Sequence, residues 1–87
     1  MPIYLVAYDL NEPGKNYDRL VTVLEKFNHC HAQQSLWFVE AKGPTRALRD
    51  ALVPHVDKTD RLFVDEIGEW AGFNMPICGK WLNDRGL

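Results

Sequence analysis

Asp9 is the residue best placed to do chemistry, because it directly follows an apolar run at positions 3–8. A run of this composition predicts a buried strand with one carboxylate at its rim. Such a carboxylate either hydrogen-bonds the amides of the following turn or serves as an oxygen ligand of Mg²⁺. In proteins Mg²⁺ is often held by one or two carboxylates together with phosphate oxygens. Asp9 is therefore a candidate turn former and a candidate metal ligand.

Two polar residues are the nearest candidates to assist Asp9. Asn11 follows it by two positions, and Ser35 stands in the next predicted strand on the face of Trp37. A serine hydroxyl can position a phosphate or a water, but it can equally satisfy a neighbouring strand. Asn11 and Ser35 are predicted as substrate-positioning residues on this basis.

Cations suited to phosphates cluster on both predicted helices. Arg19 is the candidate on the first helix, where Lys15 and Lys26 accompany it; Lys42, Arg46 and Arg49 surround the second helix. A dimer would double these charges and form a basic track, although the formal net charge of the chain is -2. Acidic residues interrupt both clusters, so a solvated helix surface is the competing interpretation.

The segment His29-Cys30-His31 contains residue types that ligate zinc. In an extended strand the two histidines point one way and the cysteine the other, which does not make a zinc site. Either histidine has a side chain suited to acid or base catalysis near neutral pH. Cys30 and Cys78 are too few for a disulfide framework, and we expect both to be reduced, partly buried thiols.

The elements that must position these residues alternate between strand and helix. Turn residues at 11–15 and a cap at Asn16 precede a helix whose apolar positions recur from Tyr17 to Phe27. The pattern at 31–40 predicts one bent strand or a tight hairpin. A short second helix follows, with Thr45 as its plausible cap and Pro54 at its end. A last strand covers 61–67, which gives the order β-α-β(β)-α-β.

This order in 87 residues predicts one α+β domain, residues 1–87, with a ferredoxin-like βαββαβ core at 3–67 and a C-terminal extension at 68–87. Two helices cover one face of an antiparallel sheet in that fold. The strands carry bulky apolar groups on both faces, so a bare second face would exceed the patch normal for a monomer. A face-to-face homodimer resolves this. The tryptophans of the extension either pack on their own domain or cross to the partner.

Short motifs in this order resemble a known family. Tyr8-Asp9-Leu10 ends the first strand, Gln33-Gln34-Ser35-Leu36-Trp37 opens the next, and Asp60-Arg61-Leu62-Phe63-Val64 forms the last core strand. The pattern resembles the small CRISPR-associated endoribonuclease family of the spacer-acquisition complex, and it is similar to the VapD-type toxins and the SinR-like group. The resemblance covers about residues 3–67.

The resemblance implies a ferredoxin-like dimer joined through its sheets, with Asp9 of the two protomers facing across a cleft. It implies that Asp9 is catalytic and holds Mg²⁺ or Mn²⁺ for phosphodiester cleavage, with RNA favoured over DNA. The alternatives are an inactive dimeric module that binds nucleic acid, nucleotide or protein, and a structural subunit whose C-terminal extension recruits a protein.

We expect a cytoplasmic protein without a membrane span, because no apolar run approaches 20 residues and the N-terminus lacks a signal-peptide pattern.

Overall fold

The structure is a computed structural model that describes residues 1–11 and 17–87. Its elements in chain order are β1 (Ile3–Asp9), α1 (Tyr17–Leu24), β2 (Asn28–Gln33), β3 (Leu36–Glu40), α2 (Thr45–Leu52), a 3₁₀ turn (Val53–His55), β4 (Arg61–Glu66) and α3 (Pro76–Asp84). The turn predicted up to Lys15 and the cap predicted at Asn16 fall largely on residues 12–16, outside the described part.

The described strands form one antiparallel sheet in the order β2-β3-β1-β4. β2 and β3 are joined by a tight turn, so the segment predicted as one strand or a hairpin is a hairpin. Its register shifts between His31 and Gln33. The chain is thus a small α+β protein, and its strand order is consistent with a ferredoxin-like fold.

α1 and α2 cover one face of this sheet, as predicted. Alternate residues of β1 point into this layer, where Trp37 and Val39 of β3 meet the buried leucines of both helices, Leu20, Leu24, Leu48 and Leu52. α2 begins at Thr45 itself and has Pro44 at its N-cap position without a side-chain hydrogen bond, so the predicted Thr45 cap is wrong. Pro54 lies in the 3₁₀ turn that follows α2, as expected from its missing N–H.

The C-terminal extension folds back on the second face of its own sheet. Leu82 and Cys78 of α3 join a buried cluster with Ile3, Cys30 and Phe38 of the strands, and Trp70 and Trp81 pack against it. The bulky residues on both sheet faces therefore indicated a cover correctly. Much of that cover comes from the same chain. The homodimer was predicted from an uncovered second face, and only one corner of that face is left uncovered in the described part of the chain.

Cys30 and Cys78 form a disulfide, which corrects the expectation of two reduced thiols. The bond ties β2 to α3 across 48 positions of sequence. Both residues are buried, more fully than the partial burial expected from the sequence. On the chain-entropy account, closing a loop of this length stabilises the folded state by about 4 kcal/mol.

No described helix is long and apolar enough to cross a membrane. The expected cytoplasmic location stays a prediction.

Candidate functional site

Asp9 lies at the end of β1, directly opposite Arg61 at the start of β4. The Arg61 Nη1 atom is 3.9 Å from the Asp9 Oδ2 atom, and the two side chains are 86% and 75% exposed. With Ala7 and Phe63 they line a shallow depression of about 420 Å³ on the second face of the sheet. We call these four residues, Ala7, Asp9, Arg61 and Phe63, the open corner.

Strand periodicity explains why the corner is composed this way. Leu62 and Val64 of β4 pack toward the helices, so the alternate residues Arg61 and Phe63 face the other side. Phe63 pairs with Ala7 in the register and remains 62% exposed. The small Ala7 side chain leaves one side of the phenyl ring open to solvent. The corner therefore offers a carboxylate, a guanidinium and an aromatic ring side by side.

Asp60 accepts two backbone hydrogen bonds beside the corner, whereas the turn that Asp9 was alternatively expected to cap lies largely outside the described residues. The Asp60 Oδ1 atom accepts a hydrogen bond from the backbone N–H of Asn11 at 2.8 Å, and its Oδ2 atom accepts one from Asp57 at 2.8 Å. Asn11 is thus held beside the corner through its backbone. In the described part of the chain, the ion pair with Arg61 is the contact of the Asp9 carboxylate.

Ser35 lies in the β2–β3 turn rather than on the strand face of Trp37, where it was predicted. Its carbonyl accepts a hydrogen bond from the Tyr8 N–H at 3.1 Å, which places it at the same end of the sheet as Asp9. The site residue Ser35 is therefore near the corner, as expected, but it is held there by its backbone.

The motifs that carry the family resemblance form a structural network. The Trp37 Nε1–H donates to the Tyr8 hydroxyl at 3.1 Å, and that hydroxyl donates to the Gln34 carbonyl at 3.2 Å. Trp37 and Tyr8 are buried, so these bonds satisfy polar atoms that water does not reach. The network fixes the β2–β3 turn against the end of β1 and so positions the strand end that carries Asp9.

Arg19 is not brought to the corner. It lies on α1 in the helix layer, on the other face of the sheet, and its Nη2 atom donates to the Pro54 carbonyl. This bond ties α1 to the 3₁₀ turn, so the position of Arg19 is accounted for by packing between the two. Among residues 1–11 and 17–87, the cation paired with Asp9 is Arg61.

Arg61 and Phe63 were missed as site residues by the sequence interpretation. Their alternation along β4 is visible in the sequence, and it places both on the face opposite Leu62. What the sequence does not contain is the register that sets Arg61 against Asp9 and Phe63 against Ala7. Without that register, the sequence of the last strand does not indicate which of its two faces lies beside Asp9.

The two histidines of β2 are structural neighbours of Trp37. The His31 ring stacks on the indole with centroids 3.9 Å apart, and the His29 ring lies 5.1 Å from it. Within residues 1–11 and 17–87, no group of at least three His, Cys, Asp or Glu side chains is arranged to hold a metal. Cys30 is in a disulfide, so the His29-Cys30-His31 segment lacks its thiolate as a zinc ligand.

A comparison of the chain with the models of known protein families finds no match.

Proposed function

We propose that this chain binds single-stranded RNA at the open corner and, as a homodimer, cleaves its phosphodiester bonds with Mg²⁺ or Mn²⁺ held by the two Asp9 carboxylates. The observation that carries the proposal is the grouping of Asp9, Arg61 and Phe63 on one solvent-open surface. These are the side chains suited to a metal, a phosphate and a nucleobase. The motif resemblance and a ferredoxin-like assignment of the β2-β3-β1-β4 sheet support it.

Each corner residue has a distinct task. The guanidinium of Arg61 can form paired hydrogen bonds to two oxygens of one phosphate. The exposed ring of Phe63 provides a surface on which an unpaired base stacks, an interaction that favours single strands over duplexes. Asp9 is placed to hold the ion next to the phosphate that Arg61 binds. The ion would supply charge neutralisation and an activated nucleophile.

Asp9 alone fits a metal only in part. One carboxylate suits Mg²⁺, which keeps several of its waters, but it gives the ion a single protein side chain. A second copy related by twofold symmetry would add the second Asp9 and a second Arg61. The proposed catalytic unit is therefore a homodimer with the open corners facing each other.

A second candidate is a module of the same fold that binds nucleic acid, a nucleotide or a protein without cleaving anything. It is favoured by the ion pair itself, because Arg61 already balances the negative charge of the Asp9 carboxylate that a metal would need. In this alternative, Arg61 and Phe63 bind the ligand and Asp9 orients Arg61.

The C-terminal extension gives the predicted protein partner a specific surface. Phe73 and Ile77 are 92% and 79% exposed, although the tryptophans of the same segment pack on the sheet. Two apolar side chains near each other in sequence make a small anchor for a partner. Recruitment of a protein through the extension remains a separate proposal.

Cleavage of a labelled single-stranded RNA in Mn²⁺ tests the first candidate against the second. In the presence of a dithiol reductant, we expect wild-type protein to cleave and Asp9→Asn to lose at least about 100-fold in rate, because a neutral amide is a poor metal ligand. Asp50→Asn is the matched control, an exposed carboxylate of α2 on the other face of the sheet. Binding without cleavage by the wild type would favour the second candidate. Failure to bind or cleave would contradict the first candidate and the nucleic-acid form of the second.

A further inference from the structure

We propose that the Cys30–Cys78 disulfide is a redox latch that holds the C-terminal extension over the sheet, and that its reduction opens this face to a second copy of the chain. The inference rests on the homodimer of the proposed function and assigns its regulation. It starts from the position of the bond, which joins the edge strand β2 to α3.

α3 depends on this anchor because it is a weak helix. It has nine residues, Pro76–Asp84, whereas isolated helices shorter than about 12–15 residues are marginal in water. Gly79 near its centre lowers the helical preference further. The helix has two buried residues, Cys78 and Leu82, so the disulfide supplies one of its two main attachments to the sheet.

The remaining contacts are reversible. Arg85 pairs with Glu40 of β3 and lies over the Trp81 ring, with its guanidinium carbon 3.7 Å from the ring centroid. Leu82 and the two tryptophans bury apolar surface against the strands. Once the disulfide is reduced, these non-covalent contacts can form and break without any change in covalent bonds. The redox state therefore sets the fraction of chains in which the sheet face is covered.

The face beneath the extension continues the open corner. Ile3 and Phe38 are buried under it, and Leu5 and Leu36 lie between them and Ala7. Release of α3 would join these residues to Phe63 in a largely apolar surface, with the carboxylates of Asp65 and Glu40 at its margins. A surface of this kind is rarely left bare in a monomer.

The size of the corner explains why release is needed for a dimer. With the extension in place, the open corner consists of four residues, whereas a stable interface takes roughly 20–30 residues from each partner. The docked helix also adds a layer about 10 Å thick on the same face, which keeps two sheets from meeting over their full width. A second copy fits the uncovered face because each brings an identical apolar surface related by twofold symmetry.

The surroundings of Cys78 suit thiol exchange. A cavity of about 190 Å³ lined by His31, Asn74, Met75 and Ile77 reaches this residue. Cys78 is the third residue of α3, where the free N–H groups of the helix start stabilise a thiolate. Cys78 is therefore the sulfur that an external thiol reaches, and a good leaving group once it carries a mixed disulfide.

A dithiol reductant completes the reaction in two steps. Its first thiolate enters through this cavity, attacks the Cys78 sulfur, forms a mixed disulfide there and expels Cys30 as a thiolate. Its second thiolate then attacks the reductant's own sulfur in the mixed disulfide, closes the cyclic disulfide and releases Cys78 as a thiolate. Two electrons pass to the protein, and each released thiolate takes a proton from solvent or remains ionised.

Light scattering of the oxidised and reduced full chain tests the latch. We expect the oxidised chain at its monomer mass of 10.0 kDa and the dithiol-treated chain at twice that mass. Trypsin should cut after Lys80 at least about tenfold faster in the reduced chain, because cleavage follows the population of the open form. Cys30→Ala/Cys78→Ala should be dimeric with and without the dithiol, which makes it the matched control.

Several outcomes would overturn the latch. These are a reduced chain that stays monomeric, an oxidised chain that is already dimeric, and a reduced chain whose circular dichroism shows loss of the sheet. A reduced dimer with a trypsin-resistant extension would also overturn it, since that result indicates exchange of extensions between copies. Dimerisation on reduction without RNA cleavage would support the latch and contradict the nuclease. Equal RNA cleavage by the oxidised and the reduced chain would support the nuclease and contradict the latch.

Discussion

Asp9 and Arg61 stand opposite each other where β1 ends and β4 begins, with their Oδ2 and Nη1 atoms 3.9 Å apart. Both side chains are mostly in solvent, and exposed pairs of this kind contribute only about 0–1 kcal/mol to stability. The pair therefore does little to hold the fold together. Each partner can turn to an outside ligand at small cost, which is what a metal and a phosphate require.

Replacing Arg61 by alanine should weaken RNA binding and leave the fold nearly unchanged. The guanidinium is 86% exposed, so we expect the free energy of unfolding to change by less than ~1 kcal/mol. Loss of one phosphate contact should reduce the slope of log K against log salt by about 0.7 for a single strand. Binding titrations at several salt concentrations measure this. An unchanged slope would contradict a phosphate role for Arg61.

Replacing Phe63 by alanine should remove a stacking surface for a base. We expect RNA affinity to fall by ~1–3 kcal/mol, the usual value of one base–aromatic contact. Phe73→Ala is the matched control, because Phe73 is also an exposed phenylalanine but lies on the extension. Equal effects of both substitutions in a fluorescence binding assay would rule out a specific role for the corner.

Replacing Tyr8 by phenylalanine should destabilise the protein while keeping its volume. The substitution leaves the buried Trp37 Nε1–H without its acceptor, at a cost of about 1–3 kcal/mol. Urea unfolding of Tyr8→Phe, Trp37→Phe and the double variant measures the coupling. The double variant should lose less than the sum of the single losses, because both remove the same bond. Strict additivity would contradict the network.

Replacing Leu82 by alanine should loosen the C-terminal extension. Leu82 is fully buried between α3 and the sheet, so its truncation should cost roughly 2–5 kcal/mol in urea unfolding. Ile77→Ala, on the exposed side of the same helix, should change stability by less than ~0.5 kcal/mol. Similar losses for the two variants would show that the extension is not anchored through Leu82.

Local patterns predicted most of the sheet and both of the first helices. Alternation in β1 and β3 separated Trp37 and Val39 from Leu36 and Phe38 correctly, because side chains on a strand point to opposite faces. The cover of the second face was not predictable. Trp70 and Trp81 would be buried equally well against their own chain or against a partner. No local pattern in the sequence distinguishes these two arrangements.

The candidate site was predicted in part for the same reason. Asp9 and the neighbourhood of Ser35 follow from the chain, but Arg61 and Phe63 reach the site through the β1–β4 register, which is a tertiary fact. The disulfide is a second tertiary fact, because two cysteines 48 positions apart give no local signal of their pairing. Arg19 lies away from the corner, since its helix packs on the other face of the sheet.

The most direct test of the central claim is the anomalous scattering of Mn²⁺ in crystals of the reduced protein. We predict one Mn²⁺ between the Asp9 carboxylates of two protomers, with metal–oxygen distances of roughly 2.1 Å, close to those of Mg²⁺ sites. Asp9→Asn crystals should lack that peak. Corners that lie apart, or a Mn²⁺ peak bound elsewhere with Asp9 still paired to Arg61, would contradict the account.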